Sequence, residues 1–220
     1  MSEADFYTAP PGWREAWQLP AFRLRLVAGL LILAALFSVL PAFFTHIEAR
    51  QGVQLHDWLL HRLPAINLSI PVFIVIWGGV GFGLWRSLQQ PLVFQMVLCS
   101  YLLLTVTRML TIALVPLNPP AGLLPLADPL ANIIYGEHFI TKDLFYSGHT
   151  ATLFLFFFCL EKQRDKAFFL FTSIAVGAGV LVQHVHYSID VLMAPVFAWI
   201  CYYAGKKIAY INQKASPSWK

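Results

Sequence analysis

Charged residues are scarce in this chain. Only 12% of its 220 residues are Asp, Glu, Lys or Arg, whereas soluble domains average about 25%. Hydrophobic residues make up 58%, and the mean hydropathy is +0.65. A chain with half the usual charge is poorly suited to water, so we expect an all-α, polytopic protein of the lipid bilayer.

Cysteine is also rare, and each of Cys99, Cys159 and Cys201 lies inside an apolar run. This placement predicts buried thiols rather than a disulfide framework or a metal cluster. The net charge is +4, but no basic stripe or RNA-binding motif accompanies it, so no nucleic-acid partner is predicted. The sequence indicates no cofactor and leaves the oligomeric state open.

Six apolar segments predict six transmembrane helices in a single membrane domain, residues 1–220. A bilayer needs roughly 20 residues per helix, so the fourth segment is short unless the preceding DLFYSG supplies its first turns. The segments are 24–45, 70–87, 91–114, 148–160, 167–184 and 188–204.

Basic residues predict the orientation of these helices, because cytoplasmic loops carry an excess of Lys and Arg. If the N-terminus is cytoplasmic, eleven basic residues lie on the inner side and three on the outer side, with Arg108 inside the third span. We therefore expect both termini in the cytoplasm, with residues 1–20 as a cytoplasmic segment. All seven histidines then lie at or near the outer face.

Two outer connections differ in character. Residues 53–63, VQLHDWLLHRL, have an amphipathic pattern that predicts a short helix in the outer interface, without a role in chemistry. Residues 115–142 form the longest outer loop, which its prolines and glycines predict to be irregular. Within the spans, the glycines favour close helix packing, namely Gly177 and Gly179 together with Gly78, Gly79, Gly81 and Gly83 of the second span.

Four polar side chains converge on one membrane level. Arg108 lies toward the outer end of the third span, His149 begins the fourth span, and His186 and Asp190 begin the sixth. Polar groups inside spans are costly and often functional. Their convergence predicts a site at the outer face.

These residue types suit phosphoryl transfer. A spacing of four lets Asp190 accept a hydrogen bond from one ring nitrogen of His186, which leaves the other nitrogen as a base or nucleophile. His149 can then act as general acid. The SGHT turn offers free N–H groups at a helix start, and Arg108 can bind two oxygens of a phosphate. Positioning and charge neutralisation are most of phosphoryl-transfer catalysis.

Several alternatives remain open from the residues alone. The histidines at 184, 186 and 149 could bind zinc, and Ser147 could be the nucleophile of an intramembrane protease. The His186–Asp190 pair could be purely structural. A transporter with an ion path is a further alternative, although a carrier needs its polar groups near the midplane.

The motifs DLFYSGHT and HYSIDV resemble those of the lipid phosphatase and phosphotransferase superfamily (phosphatidic acid phosphatase type 2), most of all its sphingomyelin synthase branch. RMLTIALVPLNP at 108–119 is similar to that branch's R-x-x-T segment running into L-P-V-P. Asp143 to Thr150 match G-D-x-x-x-SGHT from its aspartate onward, with Lys142 where that pattern has glycine, and His186 to Val191 match H-Y-x-x-D-V. The resemblance covers about residues 100–205, the expected catalytic core.

The resemblance implies a role for each matching residue. His186 would accept the phosphoryl group, Asp190 would orient it and His149 would protonate the leaving alkoxide, without a metal. The substrate-binding residues would be Arg108, Asp143, Ser147 and Gly148. Membrane lipids would be the substrate and, in a transfer reaction, the acceptor. Short loops favour a bacterial inner membrane, with the site facing the periplasm.

Departures from the family pattern predict the substrate class. The K-x6-R-P and S-R-x5-H segments of the phosphatases are absent, and Val180 stands six residues before His186. A phosphomonoester is nearly a dianion at neutral pH, whereas a diester is a monoanion. One arginine suits the diester, so we expect hydrolysis or transfer of a phospholipid head group. The alternatives are a lipid phosphomonoester phosphatase, a transporter and a catalytically inactive membrane protein.

Overall fold

The computed structural model describes residues 12–126 and 140–210. Within these ranges the chain forms seven α-helices, one 3₁₀ turn at Leu60–Arg62 and no β-sheet beyond one isolated bridge, so the expected all-α fold is confirmed there. The helices are α1 (Trp13–Gln18), α2 (Pro20–Ala49), α3 (Ser69–Leu88), α4 (Pro91–Leu114), α5 (Gly148–Cys159), α6 (Gln163–Val182) and α7 (Ser188–Tyr210).

Five of these helices, namely α2, α3, α4, α6 and α7, are long and apolar enough to cross a membrane. This finding supports a polytopic membrane protein. Helix α5 has only 12 residues, which rise about 18 Å against a hydrocarbon core of about 30 Å. Because α5 begins at Gly148, the DLFYSG residues add no helical turns to it. Six spans and two cytoplasmic termini remain predictions, and residues 1–11 and 211–220 lie outside the described ranges.

One end of the bundle carries the short helical connections. Trp13 donates its indole N–H to the carbonyl of Leu88 at 2.6 Å, which fixes α1 against the last residue of α3. Arg86 of α3 pairs with Asp165 of α6 at 2.6 Å, and both side chains are largely buried. Two residues separate the end of α3 from Pro91, which begins α4 at a position where the missing N–H of proline has no cost.

The core is built around α4, α5, α6 and α7. Helix α4 packs most extensively on α7, α5 packs on both α6 and α7, and α2 and α3 lie outside against α4 and α6. A β-carbon on Gly205 of α7 would overlap the Ser100 Oγ of α4, so only glycine permits this approach. The close packing expected of glycine is confirmed at Gly79, Gly83, Gly177 and Gly179, where a β-carbon would meet a neighbouring helix. It is wrong for Gly78 and Gly81, where a β-carbon would have no described atom of a neighbouring element within 4 Å.

Two segments from the predicted outer side, residues 50–68 and 115–126, lie over the start of α7, and we call them the outer segments. They join each other through the bridge between Val53 and Leu117. Ile66 donates its N–H to the carbonyl of Val182 at 3.1 Å, and Leu124 donates to the carbonyl of Gln183 at 3.1 Å. The outer segments therefore hold the turn between α6 and α7.

The predicted interface helix at 53–63 is wrong, because only Leu60–Arg62 forms a turn, of 3₁₀ type. Asp57 Oδ1 accepts the N–H groups of Leu59 and Leu60 at 3.0 and 3.2 Å. These are the contacts of an N-cap residue, so Asp57 begins the short turn. Val53 instead exchanges backbone hydrogen bonds with Pro116 and Asn118, which keeps the first part of the segment extended. The expected loop at 115–142 contains no helix in its described parts, and residues 127–139 lie outside them.

Candidate active site

His186 and Asp190 form a buried pair at the start of α7. His186 Nδ1 lies 3.2 Å from Asp190 Oδ2, and the two residues are 2% and 0% exposed. When Nδ1 donates to this carboxylate oxygen, Nε2 is the ring nitrogen that carries the lone pair. The predicted contact is present, whereas its catalytic role stays a prediction.

The two residues meet differently from the sequence expectation. His186 lies in the turn before α7, not on its face, because α7 begins at Ser188. Asp190 Oδ2 also accepts the N–H of Tyr187 at 3.0 Å, as the third residue of a capping box does. Asp190 Oδ1 is buried and has no hydrogen-bond partner within residues 12–126 and 140–210. One carboxylate oxygen thus fixes both the helix start and the imidazole.

The turn before α5 has an unusual backbone. Phe145 and Tyr146 both have positive φ, 63° and 54°, a region that bulky residues rarely adopt. Tyr146 is fully buried, donates its hydroxyl to the carbonyl of Leu104 at 2.9 Å and stacks on Phe197 at 4.3 Å. These contacts compensate for the strained turn.

Ser147 links the two motifs of the site. Its N–H donates to the backbone carbonyl of Asp190 at 2.9 Å. Its hydroxyl oxygen is the N-cap of α5 and accepts from the N–H and the hydroxyl of Thr150 at 3.5 and 3.1 Å. Ser147 is fully buried, so its geometry supports the helix start rather than a protease nucleophile. Direct contact with substrate stays a prediction for this residue.

Arg108 of α4 holds the SGHT turn in place. Its guanidinium forms an ion pair with Asp143 and donates to the carbonyl of Tyr146 at 2.5 Å. The same group also packs against the Cα of Gly148. The structure therefore brings together Arg108, Asp143 and Gly148, three of the four predicted substrate-binding residues.

His149 is the second residue of α5 and is partly buried. Its ring contacts that of Phe73 of α3 edge to face, with centroids 6.1 Å apart. Thr150 packs beside Gly177 of α6, close to Val191 of α7. His149 thus lies in the first turn of α5, which packs against α7, the helix that follows His186.

Glu48 and Arg50 were not expected from the sequence to contribute here. The Glu48 carboxylate accepts the N–H groups of Thr141 and Lys142, both at 2.6 Å, immediately before Asp143. Lys142 donates its amine to the carbonyls of Glu48 and Arg50, so it binds the end of α2 rather than the site. Glu48 was missed because a charged residue at the end of a span does not by itself indicate a role in a site.

His184 contacts backbone carbonyl groups rather than the other residues of the predicted zinc site. Its ring nitrogens lie 3.0 Å from the carbonyl oxygen of Ala121 and 3.1 Å from that of Leu63. Among the described residues, no group of three or more His, Cys, Asp or Glu is placed to hold a metal ion. The geometry of His184 therefore does not fit zinc binding together with His186.

A cavity of about 400 Å³ lies beneath the outer segments, against Tyr187. Neither His149, His186 nor Arg108 lines it, so it is separate from the predicted phosphate site. Its lining is Gln54, Leu55, His56, Asp57, Leu60, His61, Leu63, Pro120, Ala121, His184 and Tyr187.

Comparison with known proteins adds a family to this geometry. Residues 142–207, which are 66 of the 220 residues, match the family model described as PAP2 superfamily C-terminal. The match supports the PAP2 superfamily. It includes Asp143, His149, His186 and Asp190 but not Arg108. No curated protein and no solved structure matches the chain.

Proposed function

We propose that the protein is a membrane lipid phosphotransferase or phosphohydrolase that acts on a phospholipid head group through a histidine nucleophile. The observation that carries this proposal is the hydrogen bond from Ser147 N to the Asp190 carbonyl, 2.9 Å long. It joins the turn that bears His149 to the residue that holds His186. The PAP2 superfamily match supports the same reaction class.

In the first step, Nε2 of His186 attacks phosphorus and the bond from phosphorus to the lipid alkoxide breaks. His149 gives its proton to the leaving oxygen, and the head-group phosphate remains on His186. In the second step, water or a lipid hydroxyl attacks phosphorus, His149 takes its proton and the phosphorus–nitrogen bond breaks. One turnover therefore restores both histidines. The ion pair between Asp190 and the ring stabilises the charge that develops on His186.

The charges around the site favour a phosphodiester. Arg108 is already paired with Asp143, and Asp190 is a second carboxylate. With His149 protonated as the acid, the formal charges of Arg108, Asp143, Asp190 and His149 sum to zero. The charge of a monoanionic diester is compensated better at such a site than that of a dianionic monoester, because the two carboxylates repel each further negative charge. A sphingomyelin synthase-like reaction fits this charge balance.

Arg108 has two tasks in this proposal. It holds the SGHT turn through the Tyr146 carbonyl, and it presents a cation to the phosphate. The N–H groups at the start of α5, from Gly148 onward, provide donors for the phosphate oxygens. We place the site in the outer leaflet of a bacterial inner membrane, on the periplasmic side.

A direct assay tests this proposal. Purified protein in vesicles receives either a phosphodiester lipid or phosphatidic acid, and the released lipid alcohol and inorganic phosphate are quantified, with His186→Ala as the control. We expect faster turnover of the diester, abolished in the variant. Faster release from phosphatidic acid would make the protein a lipid phosphomonoester phosphatase. No turnover of either lipid would favour an inactive protein or a transporter.

A further inference from the structure

Asp57 contacts the first residue of α7 from the outer segment 50–68. Its Oδ2 accepts the N–H of Ser188 at 2.6 Å, and its Oδ1 accepts the Ser188 hydroxyl at 3.0 Å. Oδ1 also accepts the N–H groups of Leu59 and Leu60, at 3.0 and 3.2 Å. Four donors from two parts of the chain thus converge on a single carboxylate.

Two carboxylates therefore accept hydrogen bonds from two consecutive N–H groups at the start of α7. Asp57 takes the N–H of Ser188 and Asp190 takes that of Tyr187. Free N–H groups at a helix start need such acceptors, and the positive end of the helix dipole favours their charge. Asp57 caps α7 from a distant segment, while Asp190 caps it from within.

We propose that Asp57 is a positioning residue for the reaction, because it fixes the first turn of α7 and so aligns Asp190 with His186. This inference rests on the proposed function of that pair. Oδ2 of Asp190 lies 3.2 Å from the ring nitrogen of His186, at the long end of the range for a good N–H···O bond. A small shift of Ser188 would break this contact.

Other contacts keep the outer segments attached when Asp57 is changed. Tyr187 donates its hydroxyl to the carbonyl of Asn118 at 2.8 Å and accepts the N–H of Leu55 at 3.1 Å. Ile66 still donates to Val182. Loss of the Asp57 carboxylate therefore moves the start of α7 without detaching the segment that covers it.

The variants Asp57→Ala, Asp57→Asn and Ser188→Ala test this role, with Gln54→Ala as the control. Gln54 lies in the same segment and donates to the carbonyl of Pro119 at 3.1 Å, away from α7. Since a misplacement of about 1 Å can cost about 10²-fold, we expect Asp57→Ala to lower kcat at least about 10-fold. KM should stay within about twofold, since the lipid contacts are untouched.

The order of the variants carries further information. Asp57→Asn keeps one carbonyl oxygen and should lose less than Asp57→Ala. Ser188→Ala keeps the backbone contact at 2.6 Å and should lose least. Gln54→Ala should keep wild-type kcat. Because Asp57→Asn retains the side-chain shape, it also provides a folded test if Asp57→Ala is poorly expressed.

A double-mutant cycle separates positioning from general stabilisation. If Asp57 acts through Asp190, the loss from Asp57→Ala should largely disappear in the Asp190→Asn background, since residues in one network are not additive. Additive losses, or a kcat for Asp57→Ala within twofold of wild type, would overturn the inference. Those outcomes presuppose an active wild-type enzyme. An inactive wild type would instead overturn the proposed function.

Discussion

The guanidinium of Arg108 occupies the space that a side chain on Gly148 would need. A β-carbon at Gly148 would stand 2.5 Å from Arg108 Cζ and 2.7 Å from Nη1. Arg108 cannot move away freely, because its donors bind Asp143 and the Tyr146 carbonyl. The glycine of the SGHT motif is therefore required by the arginine of another helix.

Gly148→Ala tests this relationship. The methyl group should displace the guanidinium from the turn, and we expect at least about a 10-fold loss in kcat/KM, since small misplacements are costly in catalysis. The Tm in detergent should also fall, because the displaced guanidinium loses its contacts with Asp143 and the Tyr146 carbonyl. Gly81→Ala is the matched control, because Gly81 lies in α3 and a β-carbon there would have no described atom of a neighbouring element within 4 Å. Normal activity in Gly148→Ala would show that Arg108 can be moved without effect.

His149→Ala should reveal a general acid. Such catalysis typically contributes about 10²–10⁴-fold, and it matters most for leaving groups that are poor. We expect the variant to lose most turnover of a natural phospholipid and much less of an activated aryl phosphate ester. Rates on both substrates, measured at one pH with Phe73→Leu as a control for the ring contact at 6.1 Å, provide the comparison. Equal losses on both would remove the acid role from His149.

The sequence predicted the parts of the fold and site that depend on short spacings. The spacing of four residues predicted the contact between His186 and Asp190, although His186 makes it from the turn before α7. The fourth apolar segment predicted a helix from residue 148, and α5 begins there. The apolar runs located the ends of the long helices to within six residues. Local chemistry was sufficient for each of these features.

The missed features depend on contacts between distant parts of the chain. Asp57 and Ser188 are 131 positions apart, and Glu48 and Thr141 are 93 apart. The amphipathic pattern at 53–63 predicted a helix, but Val53 pairs with the distant residues Pro116 and Asn118 through backbone hydrogen bonds. No local sequence pattern indicates which distant carboxylate will accept the N–H groups at a helix start, because many segments of a chain contain a carboxylate.

Vanadate and chelators test the absence of a metal in the proposed reaction. Vanadate adopts the five-coordinate geometry of a phosphoryl transition state and bonds to a histidine nitrogen. We expect it to inhibit lipid turnover in the wild type and to lose its binding in His186→Ala, measured by calorimetry. EDTA should leave wild-type activity unchanged. Activity that falls with EDTA and returns with zinc would make His149 and His186 candidates for metal ligands again.

The Asp57 carboxylate makes stability depend on pH. Burial raises its pKa, but hydrogen bonds from Ser188, Leu60 and Leu59 lower it by more, so the pKa lies below its usual value. A depressed pKa stabilises the fold above the unfolded value of about 3.9, and this stabilisation is lost as pH falls through the folded value. Asp57→Asn lacks this titration. The difference in Tm between wild type and variant should be full near neutral pH and shrink below about pH 4. Equal differences at both pH values would contradict this linkage.

Asp190→Asn tests the charge that orients and supports His186. Asparagine can keep an oxygen where Oδ2 accepts from Tyr187 and His186, so the start of α7 should remain intact. The neutral amide cannot stabilise a positive imidazole, and in a serine protease triad the equivalent change costs about 10⁴-fold.

We expect a loss in kcat of at least about 10²-fold here, with lipid binding retained, because only the phosphoryl-transfer step develops charge on the ring. The protein should still insert and fold, since a neutral amide is cheaper to desolvate than a carboxylate. Single-turnover measurements of head-group release, compared with lipid binding to the same variant, separate the two effects. A variant with near-normal kcat would mean that the His186–Asp190 pair is structural, and that the nucleophile is another residue.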